Sequence, residues 1–351
     1  MELKLTNKII FDVTRGDLAD AGLFMGNTGI SLALYLLARK YHVTQAEIAA
    51  DRLMRNVVQQ MKHINSPAFD SGLSGIGWAI NILHSNKCLK GDIDEILYNI
   101  DAVVYKELTR TGANNTIGLT NGLLGYFFYL IERLSNVSHN KCTVQHSLLV
   151  GSVQTIIDKL SDLMPDLFPT VSRDVYISIL WDVPLVFIAL ARAYHLGIYQ
   201  NKIRNMVKCW EVHIPSAVPY FATNKLYLAE ALEYMNCELN EPYIAKHVDL
   251  LLHSLDISVI EEEIDYRVTN INEGWPFTVL LLYWANRLFD RKSFVQTHFD
   301  VVWGKILAEN HARFQKELDS NNQTSLSFIN GLCGIAVAYA IFPLAFNKQN
   351  I

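Results

Sequence analysis

Seven residues carry the chemistry open to this chain: Asp70, Asn121, Trp181, Asp182, Asn272, Glu273 and Asn330. Each stands at, or just before, the start of an apolar segment. If the fold brings them together, Asp70, Asp182 and Glu273 can act as acid or base, while the three asparagines offer amides and Trp181 an aromatic surface for a ligand. Asp and Asn are also favoured helix N-caps, so two roles stay open for the set: capping alone, or the lining of a ligand or peptide cavity. Trp181 and Glu273 are poor caps and favour the second, although Glu273 can also serve the first turn of its own helix. The five cysteines, Cys88, Cys142, Cys209, Cys237 and Cys333, are odd in number and widely spaced, without a Cys-x-x-Cys pair. That pattern argues against both a disulfide framework and a zinc ribbon. Cys333 is the one that tempts as a metal ligand, but its place inside an apolar run reads as a core thiol.

The elements that must position these residues form an internal repeat, the feature to seek first. Its unit is a glycine-marked turn followed at once by an apolar helix. Four copies are clear, with glycine pairs at Gly26 and Gly29, Gly72 and Gly75, Gly122 and Gly125, and Gly331 and Gly334. Three weaker copies start at Trp181-Asp182, Asn224-Lys225 and Glu273-Gly274. Taking Gly26, Gly72, Gly122, Asp182, Lys225, Gly274 and Gly331 as equivalent, the steps run from 43 to 60 residues, which makes seven units. Each step has room for a second, amphipathic helix. Thr44-x-x-Glu47 and Asp92-x-x-Glu95 read as capping boxes that open two of these, and segments from Ile198, Pro242 and Ser293 read likewise. Asn121-Gly122 and Asn330-Gly331 would suit hairpin turns, but no alternating runs flank them. The expected fold class is all-α, built from helical hairpins. A glycine inside or beside a helix costs about 1 kcal/mol relative to Ala, so a repeated pair implies close packing of a neighbour, or positive φ in the turn.

Bulk properties bound the partners. Half of the 351 residues are hydrophobic, 19% are charged and mean hydropathy is +0.14, as suits many helices buried on several faces. The most apolar stretches are broken by charge, as by Asp182, or too short to span a bilayer, so no membrane is expected. A net charge of -5 with evenly spread Lys and Arg gives no stripe for nucleic acid. No secretory signal is visible, and a cytoplasmic, single-domain protein over residues 1–351 is the expectation.

The repeated Gly-x-x-Gly-apolar-helix unit resembles the lanthionine synthetase C-like proteins, most closely at Phe69-Asp-Ser-Gly-Leu-Ser-Gly-Ile-Gly-Trp78-Ala-Ile and the following Gly91-Asp-Ile-Asp-Glu-Ile-Leu97, which resemble versions from Bacteroidetes-type genomes. The resemblance covers essentially the whole chain. It implies an α/α toroid, or barrel, of seven inner and seven outer helices. Cyclases of that family join a peptide cysteine thiol to a dehydrated serine or threonine at a zinc ion. The positions matching their zinc ligands are Asn272, Ile329 and Asn330 here, and isoleucine has no donor atom. Trp181 stands where the family's catalytic histidine would be, and the catalytic aspartate falls near Gly118. The resemblance therefore implies a member without metal or cofactor. It would hold a precursor peptide, or partner peptide-modifying enzymes, during ribosomal peptide modification, as a binding component or degenerate cyclase. The alternative is an enzyme using the same cavity for metal-independent acid/base chemistry on another substrate, such as a glycan.

Overall fold

The computed structural model describes residues 2–15, 20–110, 116–136, 144–173, 176–265, 268, 270–289, 318 and 325–341. Among them there are fourteen α-helices and no strand, as the periodicity predicts. Six are nearly buried all round, α2 (Asn27–Tyr41), α4 (Leu73–Ser85), α6 (Leu123–Asn136), α8 (Asp182–His195), α10 (Ala222–Leu239) and α13 (Trp275–Leu288), and a seventh, α14 (Leu332–Ile341), is buried from Leu332 to Val337. Between them lie amphipathic helices α3 (Thr44–Gln60), α5 (Ile93–Thr109), α7 (Val144–Leu167), α9 (Gln200–Cys209), α11 (Pro242–His253) and the short α12 (Ile257–Glu263). An additional helix, α1 (Glu2–Arg15), buries Leu5, Ile9 and Val13. The segment from Ser293 lies outside the described residues.

Packing follows chain order and returns to its start. α2 packs on α4, α4 on α6, α6 on α8, α8 on α10, α10 on α13, α13 on α14, and α14 on α2. Each amphipathic helix packs on the buried helix before it: α3 on α2, α5 on α4, α7 on α6, α9 on α8, and both α11 and α12 on α10. α1 lies against α14, α2 and α3.

One hydrogen bond recurs at the helix starts. The N–H of the first helical residue donates to the carbonyl seven residues upstream, Asn27 to Asp20, Leu73 to Ser66, Leu123 to Thr116, Trp275 to Val268 and Leu332 to Ser325, at 2.7–3.3 Å. Main chain thus satisfies a group that a capping side chain usually serves, and Gly26, Gly72 and Gly274 are N-caps without any side-chain cap bond. A Cβ on the first glycine of each turn would collide with that same carbonyl oxygen. The second glycine receives a neighbour. A Cβ on Gly29 would lie 2.6 Å from Phe328 Cβ, one on Gly125 2.6 Å from Phe69 Cβ, and one on Gly334 2.6 Å from Ile271 Cγ2. Close approach explains the pairs, and positive φ does not, because the N-cap glycines have φ of −108°, −115° and −91°.

Two local expectations need correction. α3 is capped by Val43, with Thr44 already its first residue and no side-chain cap bond, whereas Asp92 does cap α5 by accepting from the N–H groups of Asp94 and Glu95. In the fifth repeat the helix begins at Ala222, upstream of the expected Lys225. That repeat has lost its glycines and its carbonyl cap. Glu263 of α12 replaces them: its carboxylate accepts from the N–H groups of Ala222 and Thr223 at 2.7 and 2.8 Å.

Candidate functional site

Over their middle turns four of the buried helices leave a line of side chains partly open, in a common register. Six, ten and thirteen residues after the repeat start, these are Trp78, Ile82 and Ser85 in α4, Phe128, Glu132 and Ser135 in α6, Ile188, Arg192 and His195 in α8, and Leu280, Trp284 and Arg287 in α13. The common register supports the equivalence of Gly72, Gly122, Asp182 and Gly274. The lines of adjacent helices also meet. Arg192 of α8 donates to Glu132 of α6 at 2.7 Å, and His195 lies 3.0 Å from Glu238 of α10.

Above these lines the turns are stitched edge to edge by main-chain bonds. Phe328 N–H donates to Phe24 C=O at 2.8 Å, Phe24 N–H to Asp70 C=O at 2.9 Å, and Phe69 N–H to Thr120 C=O at 2.6 Å. The last, first, second and third turns are therefore continuous. The fourth turn instead reaches the sixth, Ile179 N–H donating to Asn272 C=O at 2.9 Å.

The sequence-predicted residues fall along these turns. Asp70 is half-buried, and its carboxylate accepts from the N–H and hydroxyl of Ser71 at 2.6 and 2.9 Å. Asn121, Glu273 and Asn330 are exposed. Asn272 bridges two turns: its side-chain oxygen accepts from Ser178 Oγ at 2.7 Å and its amide donates to Glu273 at 3.1 Å. Trp181, Asp182, Asn272 and Glu273 thus gather where the fourth and sixth turns meet. Asp70 sits with the third turn that carries Asn121, and Asn330 follows the Ser327 that bonds the first turn.

Trp181 differs from its expected place on an open surface. It is 3% exposed, its ring 6.3 Å from that of Tyr227. An open aromatic before α10 is Tyr220, 73% exposed and edge-on to Phe221 at 5.3 Å. Cys333 is fully buried, which pushes its thiol far above the usual range, as fits a core thiol. Among the described residues no group of three His, Cys, Asp or Glu side chains could hold a metal ion. Ile329, which the resemblance matches to a zinc-ligand position, is a buried apolar side chain.

No protein-family model and no curated protein matches this chain.

Sequence reading set Asn224 at a repeat start but missed Tyr227 and Glu230, which continue it as a polar face along α10. Asn224, Tyr227 and Glu230 are spaced three apart along it and are all buried. Asn224 donates to Tyr176 C=O at 2.9 Å and Tyr227 to Ile179 C=O at 3.1 Å, while Asn224 Oδ1 and Glu230 Oε1 have no partner. Burial holds the Glu230 carboxyl well above the carboxylate range, only partly offset by a backbone hydrogen bond from Ala285, so it stays neutral where ordinary glutamates ionise. Burial, with Glu230 and Asp182 nearby, likewise raises the Tyr227 hydroxyl. The available signal was a glutamate inside the apolar run Leu226-Tyr-Leu-Ala-Glu-Ala-Leu232.

Proposed function

We propose that the chain is an α/α toroid of the lanthionine synthetase C-like type, whose central chamber binds a peptide during ribosomal peptide modification without a zinc site. The observation that carries this reading is the packing order of the buried helices, which closes from α14 back to α2, while four of them, α4, α6, α8 and α13, keep a partly open line in the same register. In such a toroid the seven inner helices are α2, α4, α6, α8, α10, α13 and α14. Six of the outer seven are α1, α3, α5, α7, α9 and α11, and the segment from Ser293, expected to supply the seventh, lies outside the described residues. The open lines face one chamber, and the turns carrying Asp70, Asn121, Asp182, Asn272, Glu273 and Asn330 edge its mouth. Unpaired polarity supports a wetted or ligand-filled interior. Among the described residues, six of ten buried side-chain polar atoms without a partner belong to α4 and α10.

The family's thiolate chemistry has no ligands to run on here, since Asn272, Ile329 and Asn330 replace the zinc donors. What remains is recognition, by main-chain turns, exposed amides and Tyr220. The acid/base alternative draws on the neutral Glu230 and on Asp182, both of which lie near Tyr227 and could serve as a donor and an acceptor of protons.

The test is direct binding of a Cys/Ser/Thr-rich precursor-type peptide, followed by fluorescence anisotropy, with metal analysis of the same protein. Saturable binding to protein holding well under one zinc per chain supports the proposal. Stoichiometric zinc surviving dialysis, or no peptide binding, overturns it. Turnover of a glycan lost in Glu230→Gln would favour the alternative.

A further inference from the structure

Helix α4 concentrates buried polar atoms that have no partner among the described residues: Ser74 Oγ, Trp78 Nε1, and both Nδ2 and Oδ1 of Asn81. Ser74 and Asn81 are fully buried. The three residues are spaced four and three apart, so they lie along one face of the helix. An orphaned buried donor or acceptor costs about 1–3 kcal/mol, and native interiors leave only a few per hundred residues. Four on one helix face point to a missing group that completes them.

The chemistry of the face defines that group. Leu73 to Leu83 includes no charged side chain, so an ion bound here would lose its water without a counter-charge, and a neutral ligand fits. Trp78 can only donate, Ser74 can do either, and Asn81 presents a donor and an acceptor side by side. The complement of that carboxamide is the N–H and C=O of a single residue in an extended peptide, which point the same way from the backbone. The face comes nearest to solvent at Trp78. It is the partly open member of the face, on the line that continues to Ile82 and Ser85, with its ring 5.6 Å from Phe69 in the preceding turn.

We infer that Ser74, Trp78 and Asn81 form a main-chain subsite that takes one residue of an extended peptide. Asn81 Nδ2 and Trp78 Nε1 donate to its carbonyl oxygen, and Asn81 Oδ1 accepts its N–H. The inference rests on the peptide reading above and narrows it: this wall of the chamber reads backbone rather than sequence, and leaves selection by side chain to other walls.

The probe is N-acetylalanine N′-methylamide, the smallest molecule with one complete residue between two peptide bonds. It is titrated into nitrogen-15-labelled protein while the Trp78 indole and Asn81 carboxamide signals are followed, the former identified by its loss in Trp78→Phe. Both signals should shift and saturate together with millimolar affinity, as suits so small a ligand. Asn81→Leu should weaken binding at least tenfold, and Trp78→Phe, which keeps a ring, severalfold. Unmoved signals, or equal affinity in Asn81→Leu, overturn the subsite. A longer extended peptide separates the two ideas by thermal stabilisation. Equal stabilisation of wild type and Asn81→Leu would sink the subsite and leave the peptide reading standing. If no peptide stabilises the wild type, the peptide reading fails, and the small probe still decides the subsite.

Discussion

The hydroxyl of Ser327 donates to the carbonyl oxygen of Phe24 at 2.9 Å across 303 residues of chain. Beside this bond, Phe328 packs where a side chain on Gly29 would have to sit. Gly29→Ala should therefore cost about 1–3 kcal/mol by overpacking. Gly151 is also helical but has open space around it, and Gly151→Ala should gain about 0.5–1 kcal/mol from helix propensity. Urea midpoints of the two variants check this, and equal effects would sink the role given to the second glycine.

Arg133 ties three helices. Fully buried in α6, it donates to Asp94 at 2.8 Å and Asp101 at 3.1 Å in α5, and Asp101 also accepts from Tyr129 and from Gln145 of α7. Removing one partner of a buried pair leaves a charge uncompensated. Arg133→Met should cost about 3–5 kcal/mol, and adding Asp101→Asn should recover part of that loss. A double-mutant cycle without recovery would show that the pair is uncoupled.

Glu230 makes stability depend on pH. Its folded pKa lies above the unfolded value near 4.5, so the native state holds the proton longer than the unfolded chain does. Its contribution is fully present below about pH 4.5 and is lost as pH rises toward the folded pKa, at up to about 1.4 kcal/mol per pH unit. Glu230→Gln, always neutral, should be more stable than wild type at pH 8 and nearly equal at pH 4.5. Parallel stability curves from pH 4.5 to 8 would mean that Glu230 ionises freely.

At the mouth, fold and binding should separate by residue. Trp181→Ala removes a buried ring against Tyr227 and should cost about 3–5 kcal/mol. Tyr220→Ala and Glu273→Ala touch exposed side chains and should stay within about 0.5 kcal/mol of wild type. Combined, those two should weaken peptide binding by about 2 kcal/mol, roughly thirtyfold. An affinity within a factor of two of wild type would count against the mouth as the binding face.

The glycine pairs and the 3.6-residue periodicity made the helices, their all-α class and most repeat starts readable from sequence, because local propensity and burial pattern repeat with the chain. Asp182 was legible for that reason, with α8 beginning on it. Lys225 was not: the fifth repeat has no glycine, and its start is set by Glu263, brought from α12. Burial was likewise beyond the linear pattern. Trp181 and Tyr220 are both aromatic residues just before a helix, yet one is 3% and the other 73% exposed, because the first packs against Tyr227 across a neighbouring helix. The unpartnered atoms of Asn81 and Glu230 are features of tertiary packing alone, since a polar residue in an apolar run is orphaned only when the helices around it close without offering a partner.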